Sequence, residues 1–235
     1  MLTVKKGIIL FSLAVSTVLY GAEAPNIKEK IQNIDFIKNV GFVVKEVKEV
    51  GDIYAINATH PRSAKVTLFV SKDLKAVVIG QGFKANGEPI DFPINMEQYK
   101  KDAIYTIGQG KIEYYLFTDP ECPYCQKFEQ MATQLKEDVK IHVLFFPLDF
   151  HKNAQQMCKF ILNQKGNEAR AKAMHDIAEG KEDYKNLKLS DKDSSKYQEI
   201  IDKHLKIGRE IGVNGTPAVY DATGKPIQWP ELLKK

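Results

Sequence analysis

"FTDPECPYCQKFE", residues 117–129, contains two cysteines, Cys122 and Cys125, that are separated by two residues. Residues 111–119, which lead into the pair, are rich in aromatic and β-branched side chains, and Pro120 ends this strand-like run. Behind the pair, apolar side chains recur at helical spacing at Tyr124, Phe128, Met131 and Leu135. The sequence therefore predicts a strand-to-helix junction at Cys122, with Cys125 one turn inside the helix.

The predicted position of the pair favours redox chemistry. Unpaired N–H groups and the helix dipole stabilise an anion at a helix N-terminus, so a Cys122 thiolate should form at a lowered pKa. Pro123 suits the first helical position, where its missing N–H costs nothing. Cys125 can then attack a mixed disulfide formed at Cys122. Such exchange needs an exposed nucleophile and a shielded resolving partner.

Two other roles for the pair fit the sequence less well. A closed zinc site needs two further ligands, and the candidates are scattered single residues: Cys158, His60, His142, His151, His175 and His204. A purely structural bridge between the two cysteines would close a very small loop and remove little entropy from the unfolded chain. We therefore expect neither a metal nor another cofactor.

A second signal lies far downstream, in "GVNGTPAVYDATGK", residues 212–225. Thr216 and Pro217 precede a strand-like run at residues 218–221. A proline that starts a strand can adopt the cis form, which usually marks a tight turn. An ordinary trans proline entering an edge strand is the alternative, and the cysteine pair makes the cis form the favoured interpretation.

These motifs resemble a known family. A CxxC after a strand, followed by a distant Thr-Pro before another strand, is similar to the thioredoxin fold. More narrowly, "FTDPECPYC" and "GVNGTPAVY" resemble the DsbC/DsbG disulfide isomerases of the bacterial periplasm. The resemblance implies that Cys122 attacks, that Cys125 resolves, and that Pro217 is a cis proline beside them. It also implies that Thr216, with its backbone available to a bound peptide, lines the site together with the Pro123-Tyr124 dipeptide, which matches the DsbG pattern.

Three functions remain open on this evidence. The favoured one is a homodimeric disulfide isomerase or reductase that acts on unfolded or misoxidised secreted proteins and is kept reduced by a DsbD-like membrane protein. The second is a dimeric oxidase that donates its own disulfide and is recharged by a DsbB-like membrane protein. The third is a holdase chaperone that binds unfolded chains without thiol chemistry. Sequence does not fix the redox balance that separates the first two.

The N-terminus has the layout of a secretory signal peptide. Lys5 and Lys6 precede an apolar run at residues 7–20, and small residues follow, with an A-x-A site at Ala22 and Ala24. We expect removal of this segment and a periplasmic location, where disulfides form and persist. Cleavage after Ala22 and an uncleaved anchor are the alternatives.

Composition is compatible with a soluble, packed protein of one or two domains. The 235 residues are 43% hydrophobic and 27% charged, with a formal net charge of +4. The charge is mild and no basic block forms a phosphate-binding stripe, so we expect no nucleic-acid partner.

The predicted fold is an α+β N-terminal dimerisation domain followed by an α/β thioredoxin fold with a helical insertion. The predicted segments are a signal peptide at 1–24, a dimerisation domain at 25–94, a linker helix at 95–110, and a thioredoxin-like catalytic domain at 111–235 with a helical insert at about 150–210. The dimerisation domain should hold one helix, marked by the spacing of Ile27, Ile31, Ile34 and Ile37, and then four strands. A final helix should start at Trp229.

Three further residues have more than one interpretation. Cys158 lies where the family carries a second disulfide, but its partner region, "LSDKDSSKY", has no cysteine. We expect a buried free thiol there, with an intermolecular bridge or a third redox cysteine as alternatives. Glu121 could tune the neighbouring thiolate, although a solvated acid is favoured. Glu113 could transfer protons, although a charge at a strand edge is favoured.

Overall fold

The computed structural model describes residues 24–60 and 63–234. The predicted signal peptide lies outside the described residues except for its last position, Ala24. Among the helices of these two ranges, none combines the length and the apolar character that crossing a bilayer requires.

The N-terminal part is an antiparallel sheet with two short helices packed on it. Its elements are α1 (Ala24–Gln32), α2 (Asp35–Val40), β1 (Val43–Val50), β2 (Ile53–His60), β3 (Ser63–Ser71) and β4 (Val77–Ile79). The strands lie in chain order and each pairs with the next. The four predicted strands are therefore present, and Ile31, Ile37, Ile56, Leu68 and Val70 fill a small core between the sheet and the helices.

The single helix predicted from the isoleucine spacing is wrong. The chain breaks at Ile34, which adopts an extended conformation with φ −62° and ψ 128° and separates α1 from α2. Ile31 and Ile37 are both 0% exposed. The break reorients the second helix so that both side chains reach the same core. Gly41, with φ 84°, then ends α2 in the left-handed conformation that glycine adopts readily.

The C-terminal part is a mixed five-stranded sheet covered by helices. Its strands are β5 (Tyr105–Ile107), β6 (Ile112–Thr118), β7 (Val139–Phe145), β8 (Ala218–Asp221) and β9 (Pro226–Ile227), in the order β5-β7-β6-β8-β9. Its α-helices are α3 (Pro123–Gln130), α4 (Ala154–Asn163), α5 (Asn167–Ala178) and α6 (Asp191–Ile211). Strands β6 and β7 are parallel and α3 connects them, whereas the other pairs are antiparallel.

The predicted linker helix over residues 95–110 is wrong in its second half. A 3₁₀ helix spans Met96–Asp102, and the chain then forms β5, which pairs with β7 at the edge of the sheet. The Ile104 N–H donates to the Val143 carbonyl at 2.8 Å, and Tyr105 is 2% exposed. Aromatic and β-branched residues of this segment gain more from pairing and burial here than from a continued helix.

The predicted final helix is also shorter than expected. Only one 3₁₀ turn forms, at Trp229–Leu232. The Lys136 N–H donates to the Leu232 carbonyl at 3.0 Å, and the Lys234 N–H donates to the Gln134 carbonyl at 2.7 Å. These two hydrogen bonds pair the end of the chain with the segment after α3, and the helix therefore does not continue past Leu232.

The sheet brings the two sequence motifs together. Strand β6 ends directly before the cysteine pair, and β8 begins directly after Thr216-Pro217. Because β8 pairs antiparallel with β6, with Phe117 opposite Ala218, the Thr216-Pro217 turn lies beside the N-terminus of α3. Residues 94 positions apart thus form one site.

Candidate active site

The first cysteine occupies the N-cap position of α3. Cys122 is the N-cap residue, with φ −71° and ψ 123°, and Pro123 occupies the first turn, as the sequence predicts. The expectation of an exposed nucleophile is wrong in degree, because Cys122 is only 5% exposed. The Thr216 turn causes this burial, since the Cys122 thiol donates a hydrogen bond to the Thr216 carbonyl at 3.4 Å.

The surroundings of Cys122 stabilise its thiolate. The pKa of Cys122 is lowered to about 5, first by a hydrogen bond from the Cys125 side chain. Burial opposes this effect, while the backbone N–H groups of Cys125 and Tyr124 and the Thr216 side chain add to it. These N–H groups belong to the first turn of α3, where the helix has no partners for them. The helix start therefore acts on Cys122 as an anion site.

The second cysteine has the opposite character. Cys125 is 0% exposed, and burial raises the pKa of its thiol, assisted by the bond that it gives to Cys122. The N–H of Asp119 donates to the Cys125 sulfur at 3.4 Å, and the Thr118 and Thr216 side chains also favour the thiolate. The pair therefore comprises one group that ionises easily and one that is held protonated.

The Thr216–Pro217 peptide bond is cis, which is the form favoured by the sequence. Thr216 and Pro217 are both half-buried. The Thr216 hydroxyl is buried without an oxygen or nitrogen partner among the described residues. The turn thus lies against both sulfurs and covers Cys122.

The two residues between the cysteines point outward. Pro123 is exposed and Tyr124 is 69% exposed. The helical spacing placed Tyr124 on the apolar face of α3, but that face consists of Cys125, Phe128 and Glu129. Tyr124 instead exposes its ring to solvent, two residues after Cys122 in the sequence.

The buried face of α3 that holds Cys125 also holds a carboxyl group that the sequence analysis missed. Glu129 is 6% exposed, and burial raises its pKa to about 7, partly opposed by a hydrogen bond from Tyr105. The Tyr105 hydroxyl donates to Glu129 Oε2 at 3.4 Å. The four-residue spacing from Cys125 was the available signal, because residues i and i+4 share a helix face.

The two acidic residues singled out in the sequence have different surroundings, and only Glu113 matches the favoured interpretation. Glu121 is half-buried and accepts hydrogen bonds from Asn153 at 2.6 and 3.0 Å, so it is not a solvated acid. Glu113 lies at the far end of β6, where it pairs with Lys100 at 2.6 Å and lies 3.3 Å from His142. Glu113 therefore fits a strand-edge charge.

Cys158 is a buried free thiol, as predicted. It lies on α4, is 0% exposed and has no disulfide partner. Burial raises the pKa of its thiol well above the usual range. It packs as a small apolar side chain.

Comparison with known proteins confirms the resemblance read from the motifs. A family model described as a thioredoxin-like domain matches residues 99–231. Thiol:disulfide interchange protein DsbC of Escherichia coli K12 is 28% identical over 183 residues, which is 72% of this chain and 71% of that protein. DsbG of the same strain is 21% identical over 169 residues, with 66% and 67% covered. The structure of Helicobacter pylori DsbG covers 84% of this chain and 99% of its own, at 18% identity and a TM-score of 0.39.

Proposed function

The chain belongs to the thioredoxin-like domain family, and we propose that it is a thiol:disulfide interchange enzyme of the isomerase or reductase type, acting in the periplasm. The contrast between the two cysteines carries the exchange chemistry of this proposal, and the similarity to DsbC and DsbG supports the isomerase or reductase type. Cys122 has a pKa of about 5 and lies at a helix start under the Thr216–Pro217 turn, while Cys125 is buried and held as a thiol. This is the combination that an attacking and a resolving thiol require.

The reaction begins at the Cys122 thiolate. It attacks one sulfur of a substrate disulfide, a bond forms between that sulfur and Cys122, and the substrate disulfide breaks. The second substrate sulfur leaves as a thiolate and takes a proton from water. Substrate polypeptides lie along the Thr216 backbone in extended form, as an added strand does.

The mixed disulfide can then react in two ways. In isomerisation, another substrate thiolate attacks the sulfur bonded to Cys122, which releases Cys122 with no net redox change. In reduction, Cys125 gives its proton to water and attacks the Cys122 sulfur. The Cys122–Cys125 disulfide forms, the bond from Cys122 to the substrate breaks, and the substrate sulfur leaves as a thiolate, so the substrate is reduced by two electrons. A membrane reductant of the DsbD type must then return the pair to dithiol.

In this proposal, α4 to α6 form a helical insertion within the thioredoxin core.

The N-terminal sheet supplies the dimer interface in this proposal. Large apolar side chains are exposed on the N-terminal part, at Phe36, Val43, Val78, Ile79 and Phe83. Covering them with a second copy would remove apolar surface from water and add to a core that is small by itself. Light scattering on the mature protein tests this point, since a monomer at micromolar concentration would contradict it.

An oxidase is the second candidate, and the pKa of Cys122 favours it. A low pKa of the attacking cysteine stabilises the reduced pair and so makes its disulfide more oxidising. In that case the Cys122–Cys125 disulfide is transferred to reduced substrates, and a membrane oxidant of the DsbB type recharges it.

A secreted protein with scrambled disulfides tests the proposal. With glutathione buffered so that the pair stays reduced, the wild type should restore native activity to the scrambled substrate, whereas the variant Cys122→Ala should not. The same enzyme, first oxidised, is then mixed with fully reduced substrate. Fast disulfide transfer there, without any recovery of scrambled substrate, would reject the isomerase in favour of the oxidase.

A further inference from the structure

The carboxylate of Asp119, the residue after β6, is fully buried and is contacted by three hydrogen-bond donors. Its Oδ1 accepts from the Glu121 N–H at 2.8 Å. Its Oδ2 accepts from the Leu148 N–H at 2.7 Å and contacts the His151 Nδ1, also at 2.7 Å. The Asp119 side chain is 0% exposed, and that of His151 is 15% exposed. A buried carboxylate needs such partners, because an unpaired charge in the interior is costly.

The same residue reaches the resolving cysteine through its backbone. The Asp119 N–H donates to the Cys125 sulfur at 3.4 Å, and this bond favours the thiolate form of Cys125 against the effect of burial. The position of that N–H depends on the orientation of the Asp119 peptide, which the three donors on its carboxylate fix. His151 is the only side chain among these three donors.

Two further hydrogen bonds connect the segment at residues 119–121 to the loop that follows β7. Glu121 accepts from the backbone N–H of Asn153 at 2.6 Å and from its side-chain amide at 3.0 Å. The loop that follows β7 is thus fastened at both of its ends to residues 119–121. The ring of Phe150 covers His151 edge-on, with ring centroids 4.5 Å apart.

We propose that His151 is a positioning residue for the resolving step, acting through Asp119 on the Cys125 sulfur. The inference rests on the proposed function. When Cys125 gives up its proton to water, negative charge develops on its sulfur. The Asp119 N–H stabilises that charge while Cys125 bonds to Cys122 and the substrate sulfur leaves as a thiolate. Attack by Cys122 on a substrate does not use this bond.

Three variants separate this role from a merely structural one. His151→Leu removes the donor to Asp119. His151→Asn keeps a side-chain N–H close to the place of Nδ1. His175→Leu makes the same apolar change at an exposed histidine on α5 and serves as the control. Each variant is mixed with a peptide disulfide, and acid-quenched samples give the rates at which the mixed disulfide forms and decays.

We expect His151→Leu to slow decay of the mixed disulfide about tenfold, the equivalent of about 1.4 kcal/mol, which is near the upper end of the net contribution of an ordinary hydrogen bond. Formation should change less than twofold, His151→Asn should restore most of the decay rate, and His175→Leu should match the wild type. Equal slowing of both steps, or no rescue by asparagine, would overturn the proposal. Should His151→Leu fail to fold, His151→Ala, which also lacks a side-chain donor, takes its place with the same expected result.

The proposed function can fail separately. A wild type that forms no mixed disulfide at Cys122 contradicts the exchange reaction itself. A wild type that forms and resolves it, with all His151 variants resolving equally fast, contradicts only the role of His151.

Discussion

Replacing Cys122 with serine should lower thiol–disulfide exchange to the uncatalysed rate. The thiolate is the nucleophile in exchange, and a serine hydroxyl stays protonated and forms no disulfide. Cys125 cannot replace it, because it is 0% exposed and burial raises its pKa. The measurement is the rate of peptide-disulfide reduction near neutral pH, with a reductant that regenerates the enzyme.

Cys125→Ser should fail in a different way. Attack by Cys122 continues, but the resolving thiol is absent, so covalent enzyme–substrate adducts accumulate on a non-reducing gel. Cys158→Ala is the control, because Cys158 is buried on α4 and takes no part in the proposed reaction. Exchange by Cys122→Ser at the wild-type rate, or adducts that depend on Cys158, would contradict the assignment.

Replacing Glu129 with glutamine should remove a large pH dependence of stability. The folded-state pKa of Glu129 is about 7, above the usual 4.5, because the carboxyl group is buried. Between these values the folded protein keeps a proton that the unfolded chain releases, so the free energy of unfolding falls as pH rises. The interval of about 2.5 pH units, at 1.36 kcal/mol per unit, corresponds to a decrease on the order of 3 kcal/mol in the free energy of unfolding.

The comparison uses urea unfolding of reduced wild type and Glu129→Gln from about pH 4.5 to about pH 8. Other titrating groups contribute equally to both proteins, so they cancel in the difference. Glu129→Gln should leave the free energy of unfolding almost unchanged at the acidic end of this range and raise it by a few kcal/mol at the alkaline end. A difference that does not change with pH would show that the Glu129 carboxyl titrates normally in the fold.

Local signals in the sequence were sufficient for the cysteine pair and for most of the N-terminal strands. Pro120 and Pro123 set the junction between β6 and α3, and the first turn of a helix supplies N–H groups whatever the rest of the fold. A turn at Gly51-Asp52 separates two strand-like runs, which form β1 and β2. Such features depend on neighbours in the chain.

Features that depend on distant contacts were missed or misjudged. The exposure of Cys122 is set by Thr216, which the sequence placed nearby without showing that it covers the sulfur. The strand β5 has three residues and exists because β7 offers it a free edge. Asp119 and Glu129 look like ordinary surface acids in the sequence, and only the packing of the loop after β7 and of Tyr105 shows that they are buried.

The pH dependence of Cys122 alkylation tests the central claim most directly. Reduced wild-type protein is treated briefly with iodoacetamide across the range from about pH 3.5 to about pH 9, and mass spectrometry locates the label. We expect Cys122 to react first, with a midpoint at about pH 5, while Cys125 and Cys158 stay unlabelled. At about pH 6 its rate should exceed that of an ordinary thiol roughly tenfold, after allowance for the lower nucleophilicity of a low-pKa thiolate. A midpoint near the ordinary pKa of about 8.5, or earlier labelling of Cys125, would contradict the account.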